Sequence, residues 1–292
     1  QKAIADHATV LGQESLLMGT GASLLVLPVD LVEGLTTLQQ TLEAAGAWTA
    51  EEREAVVHLL EHSRGVYEKR IDEARAHRED LQNLRAKLLT KFAKVYVSVY
   101  ENLVKDEDGF ADFNAQATLC ASNAPQEKPR QETQQLDELY ETGAVSARAP
   151  FASLLDAAQQ TLPSAEVTVA PLKKMPRTIQ KSMLRADAAR RGNVDDILDV
   201  VRGMVICGTM SELGRALAFF SEGEHGWKIV RVKNRFEAGA QTSGGWADCL
   251  LNIVRSDDPH QHVCEVQLVH KKMLVLRGED MGGHDAYNEF RT

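Results

Sequence analysis

Five consecutive residues late in the chain, Cys264-Glu265-Val266-Gln267-Leu268, alternate apolar side chains with an acid and an amide. A period of two marks a strand with one face on a core and the other turned away from it. It also sets a glutamate inside a sheet, where acids are disfavoured. Such a glutamate either stands in water on an open sheet face or needs a metal or a cationic partner. Upstream, Asp199 heads a second apolar run, Val200-Val201-Arg202-Gly203-Met204-Val205-Ile206. An acid at the mouth of a strand suits Mg²⁺ that bridges phosphate oxygens. Before it comes a basic segment with Lys173, Lys174, Arg177, Lys181, Arg185, Arg190 and Arg191, opposed by Asp187 alone. The spacing predicts a helix over 177–190 on which Arg177, Lys181 and Arg185 share one face. That face either grips a triphosphate by charge-assisted hydrogen bonds or is a solvated or partner-docking surface.

Other strands are expected at 167–170, 200–207, 227–232, 246–254 and 262–268. Helices are expected at 136–142, 151–162, 211–220 (with Ser211 as cap), 269–276 and 284–290. Few strands in mixed order, flanked by helices, make an α+β domain. The N-terminal part reads differently. Thr49-Ala50-Glu51-Glu52 is a capping box. An apolar stripe then runs through Leu60, Tyr67, Ile71, Ala74, Leu81, Leu84, Leu88, Phe92, Val95, Val99 and Leu103. Its steps of three, four and seven are those of one buried helix face. A continuous helix of that length extends ~80 Å, with Gly65 the place for a break. Its length predicts docking of a protein partner along 49–104. The charged residues between are a solvated face with i,i+4 pairs. Residues 123–135 have the composition of a linker, with two prolines and little to bury. The expected organisation is therefore a helical extension over 1–122, a linker over 123–135 and the α+β domain over 136–292.

The chain has 292 residues and a net charge of −9, which argues against general nucleic-acid binding through bulk charge. Its four cysteines, Cys120, Cys207, Cys249 and Cys264, form no CxxC pair and read as reduced thiols of an intracellular protein. The apolar stretch 16–27 is too short to span a membrane and reads as a buried helix or hairpin. No basic segment precedes it as in a signal peptide, and the opening Gln1 points to a fragment or a processed form. Asp106–Asp112 lacks the spacing of a calcium loop and reads as a turn. His260, His262 and Cys264 offer three zinc-type groups, one short of a closed site. Trp246 follows Gly244-Gly245, so its indole either projects into a cleft to stack on a base or joins the core.

The order of these parts resembles the synthetase domain of the RelA/SpoT family, over roughly residues 150–292. The elements of the resemblance are the basic helix, Asp199 on its apolar strand, Arg231-Val232-Lys233-Asn234, Gly245-Trp246, Glu265-Val266-Gln267 and His284-Asp285-Ala286-Tyr287. It implies a nucleotidyltransferase-like fold, Mg²⁺ as cofactor, and transfer of pyrophosphate from ATP to a guanine nucleotide. It further implies that Asp199 and Glu265 are the catalytic, metal-holding acids. Lys174, Arg177, Lys181 and Arg185 would hold ATP phosphates, and Trp246, Gln267, His284 and Tyr287 would complete the nucleotide site. The chain departs from the family where Gly-Tyr-Arg-Ser-Leu-His becomes Gly245-Trp246-Ala247-Asp248-Cys249-Leu250, without the arginine and the histidine. Its Gly203 falls one residue late, and Met204 stands where the strand's arginine belongs. The alternative is a catalytically degenerate domain acting as a structural or interaction subunit of a larger assembly.

Overall fold

A computed structural model describes residues 27–76, 93–184, 187–223, 225–242 and 244–276. Arg185, His284 and Tyr287 lie outside the described residues. So do the helix expected at 284–290, nearly all of the apolar stretch 16–27, and Leu81, Leu84, Leu88 and Phe92 of the stripe.

The molecule is α+β. Helices α1 (Val29–Ala45), α2 (Ala50–Ala76) and α3 (Phe110–Asn123) precede α4 (Val145–Thr161), which is entered through helical turns at Leu136–Glu138 and Leu139–Ala144. Then follow β1 (Glu166–Val169), α5 (Met175–Met183), β2 (Arg202–Cys207), α6 (Met210–Ser221), β3 (Trp227–Asn234), β4 (Cys249–Arg255) and β5 (Cys264–His270). A single 3₁₀ turn at Lys271–Leu276 stands where a longer helix was expected. The sheet order is β1-β2-β5-β4-β3. Only β2 and β5 run parallel; the other neighbours are antiparallel.

Local signals explain several boundaries. At α2 the capping box forms as expected: Glu52 N donates to Thr49 Oγ1 at 3.2 Å, and Thr49 N donates to Glu52 Oε2 at 2.8 Å. Gly65 does not break the helix, since its neighbours on both sides keep the ladder. The cap of α6 is Thr209 rather than Ser211, its Oγ1 accepting from Glu212 N at 3.2 Å. The stripe is displaced by one residue beyond position 93. Tyr96, Tyr100 and Val104 are buried, whereas Val95 and Leu103 are exposed. A wide helical turn at Tyr100–Val104 and the Tyr100 hydroxyl, which donates to Phe236 O at 2.6 Å, fix that register.

Helices α4 and α6 cover one face of the sheet. A Cβ on Gly203 would strike Leu155 of α4 and sit 2.8 Å from Thr168 O, so glycine is what lets α4 approach β2. The cluster of buried apolar residues is continuous from Leu31 and Val56 through Phe113 and Tyr140 to Leu251 and Leu268. The N-terminal helices and the sheet thus share one core. Gln131, inside the expected linker, is buried and braces that union. Its amide donates to Ile197 O (3.0 Å) and Val263 O (3.1 Å), and its oxygen accepts from Val263 N at 2.9 Å.

Candidate functional site

The sheet face opposite α4 and α6 is polar, and the strand registers arrange its side chains in rows. One row is Arg231, Asn252, Glu265 and Arg202 across β3, β4, β5 and β2. The next is Lys233, Leu250, Gln267 and Met204. Asp248 continues the face beyond Leu250 and ion-pairs with Arg235. At the other end Val254 packs with Leu198, Val230 and Val263, a small apolar cluster that closes the face.

A β-bulge makes the first row possible. Ile229 pairs with Ile253, but Arg231 pairs with Asn252, so one extra residue sits in β3 between them. The extra residue moves Arg231 and Lys233 onto the polar face, as bulges beside functional sites often do. The consecutive apolar pair Ile229-Val230 interrupts the alternation in the sequence, and that is the signal which betrays the bulge.

Glu265 lies on this face, half-buried, and Gln267 Nε2 donates to its Oε1 at 3.1 Å. Burial and the nearby Asp199 carboxylate push its carboxyl up to about 7, a rise only partly countered by Lys181. Asp199 enters β2 beside it and is held differently. Lys173 Nζ meets its Oδ2 at 2.8 Å and Lys181 Nζ its Oδ1 at 3.0 Å. Burial opposes ionisation of Asp199, but these two ammonium groups outweigh it and hold the carboxyl well below the usual range. Arg202 Nη1 donates to the Asp199 carbonyl at 3.1 Å. Two acids of opposite bias, one ionised and one poised near neutrality, are the pattern acid–base chemistry uses.

The lysines reach Asp199 because α5 is pinned from two sides. Met175 N donates to Gln39 Oε1 of α1 at 2.8 Å, and the buried Tyr140 hydroxyl bonds Lys173 O and Thr178. Helix α5 ends at Met183, short of the expected reach to 190, where the chain turns at Leu184 (φ −82°, ψ 20°). Arg190 instead pairs with Asp195 at 2.7 Å.

Of the expected site residues, the structure brings together Asp199, Glu265, Gln267 and Lys181. Lys174 is exposed at the start of α5, and Lys173 is the residue that meets Asp199. Arg177 donates to Gln180 and lies near the Tyr67 phenol of α2. Trp246 is 6% exposed, with its ring edge-on to Tyr96 at 5.4 Å between centroids. Gly245, at φ +78°, presses on the helical segment 93–104, where a Cβ would lie 2.9 Å from Ala93 O. Of the two readings of Trp246, the indole has taken the core one. Reading the sequence by helix spacing passed over Lys173, although it belongs to the basic segment, and missed Asn252 and Asp248, whose places depend on the strand registers.

Among the described residues no group of three or more His, Cys, Asp or Glu is gathered around a metal-sized space. His260, His262 and Cys264 make no such group. All four cysteines are free. None of the described helices is long and apolar enough to cross a membrane. No family model matches the chain, and no curated protein matches it. Among solved structures, the crystal structure of smu.1046c from Streptococcus mutans UA159 is 12% identical, with a TM-score of 0.35. The match covers 49% of this chain and 74% of that one, a likeness too low to bear on the fold.

Proposed function

We propose that the polar sheet face binds the polyphosphate of a nucleotide in a nucleotidyltransferase-like domain of RelA/SpoT type. Its reaction is transfer of pyrophosphate from ATP to a guanine nucleotide. The observation behind this reading is Glu265, a half-buried acid beside Asp199 that forms no ion pair among the described residues, on a face rimmed by Lys173, Lys181, Arg202, Arg231 and Lys233. Two groups of cations on either side of one acid suit a donor and an acceptor that both carry phosphates.

In this reading Asp199 and Glu265 would hold Mg²⁺. Their mutual repulsion is what a divalent ion relieves, and the ion would neutralise charge on the transferred phosphates. Lys173 and Lys181, drawn toward the phosphates, leave Asp199 free for that role. Glu265 takes the proton of the acceptor's attacking hydroxyl. The new bond forms between that oxygen and the β-phosphorus of ATP, and the bond from the β-phosphorus to the bridging oxygen breaks, so AMP leaves with the electron pair.

Calorimetric titration of the full chain with ATP and with GDP, in the presence and absence of Mg²⁺, tests binding. Radiolabelled ATP tests transfer. Binding that depends on Mg²⁺, with transfer lost in Glu265→Gln, is the expected outcome. Absence of binding to both nucleotides would overturn the reading.

A second reading, a degenerate domain within a larger assembly, is favoured by one feature. Leu250 stands in the second row and Ala247 is wholly buried, at the positions where the family has a histidine and an arginine. Nucleotide-free protein that elutes in an assembly larger than one chain would support it.

A further inference from the structure

Strand β4 and Asp248, which leads into it, hold polar atoms that the fold does not use. The Asn252 side chain is 1% exposed, and among the described residues neither its Nδ2 nor its Oδ1 has a hydrogen-bond partner. Asp248, also 1% exposed, gives Oδ1 to Arg235 and leaves Oδ2 without a partner. Buried polar atoms are almost always paired, so three orphans on one strand face call for an explanation. Between them on the same face lies Leu250, 8% exposed.

The spacing indicates what would satisfy them. Four residue steps lead from Asp248 to Asn252, ~13 Å along the extended backbone. A flat two-ring base, with its apolar face on Leu250 and one hydrogen bond at each end, fits that gap once the side chains lean inward. The chemistry narrows the choice further. A carboxylate oxygen only accepts, so the ligand must donate to Asp248, while the Asn252 amide can donate to a carbonyl. Guanine carries both at opposite ends of one edge: an exocyclic amino donor at one end and a carbonyl oxygen at the other. Adenine has no carbonyl there.

We propose that the acceptor base is read on β4, by Asp248 and Asn252 across Leu250, and not by stacking on Trp246. The inference rests on the nucleotide reading above and adds two specificity-determining residues to it. Arg231 and Lys233 stand beside Asn252 and Leu250 in the strand register, and Arg235 holds Asp248. With Asn252 and Asp248 1% exposed and Leu250 8%, a base reaches the strip only when the side chains over it move aside.

The test uses the full chain with Mg²⁺ and four probes: inorganic tripolyphosphate, GDP, IDP and ADP. Tripolyphosphate reads the cations alone, and its failure to bind together with failure of all nucleotides would overturn the underlying reading. GDP should bind about ten- to a hundredfold more tightly than ADP, with IDP between them because it lacks the exocyclic amino group. Asn252→Leu and Asp248→Asn, each checked for folding by its thermal melt, should bring GDP and ADP to similar affinity. Nucleotide binding with a GDP preference that survives both substitutions would overturn the β4 assignment and leave the nucleotide reading standing. Loss of the preference on Trp246→Leu alone would also overturn it.

Discussion

Glu265 and Asp199 are neighbours held on opposite sides of their ordinary ionisation, and the stability of the protein should register both. Glu265 titrates near 4.3 in an unfolded chain and at about 7 in the folded one. Between those values the folded state binds more protons, so stability falls as pH rises through the window. Glu265→Gln removes this penalty. The variant should be more stable than the parent by on the order of 1–3 kcal/mol at pH 8, with the difference vanishing near pH 4, in denaturant melts. Asp199 has the opposite sign: its depressed carboxyl stabilises above pH ~4, and that contribution fades as pH falls further. Both acids were legible in the sequence, because an acid inside or at the mouth of an apolar strand is conspicuous. Lys173 was not. Helix spacing selects Arg177, Lys181 and Arg185, and only the point where α5 begins, set by Gln39 and Tyr140, decides that Lys173 reaches Asp199.

All five observed strands lie where alternation or apolar runs suggested, with ends displaced by a few residues. What one-dimensional pattern does not contain is which strands are neighbours, and the site depends on that. Arg202, Glu265, Asn252 and Arg231 come from four strands and meet only through register. Close packing on the other face is equally specific. Gly203→Ala would push a methyl group into Leu155 and within 2.8 Å of Thr168 O, a backbone atom of the paired strand β1 that cannot swing aside. The expected cost is about 1–3 kcal/mol, read as a melting temperature lower by several degrees. An unchanged melt would show that α4 does not press on β2 as described.

One core joins the N-terminal helices to the sheet, and the segment 123–135, which composition marks as a linker, contains the buried brace Gln131. Composition is a poor guide there because a polar side chain that satisfies three backbone groups looks, in sequence, like one that satisfies water. The prediction is a single cooperative unfolding transition in calorimetry, with calorimetric and van't Hoff enthalpies in agreement. Two separated transitions would return the chain to two independent units. The position of β5 between β2 and β4 bears on how such a chain is made. It is the last described strand, yet it is the middle one of the sheet. A ribosome delivers β1–β2 and then β3–β4 as two ribbons with bare inner edges before the strand that joins them arrives. Exposed edges of that kind recruit other chains, so a product truncated before Cys264 should be prone to aggregate, and the nascent protein would have most need of a chaperone until β5 has emerged.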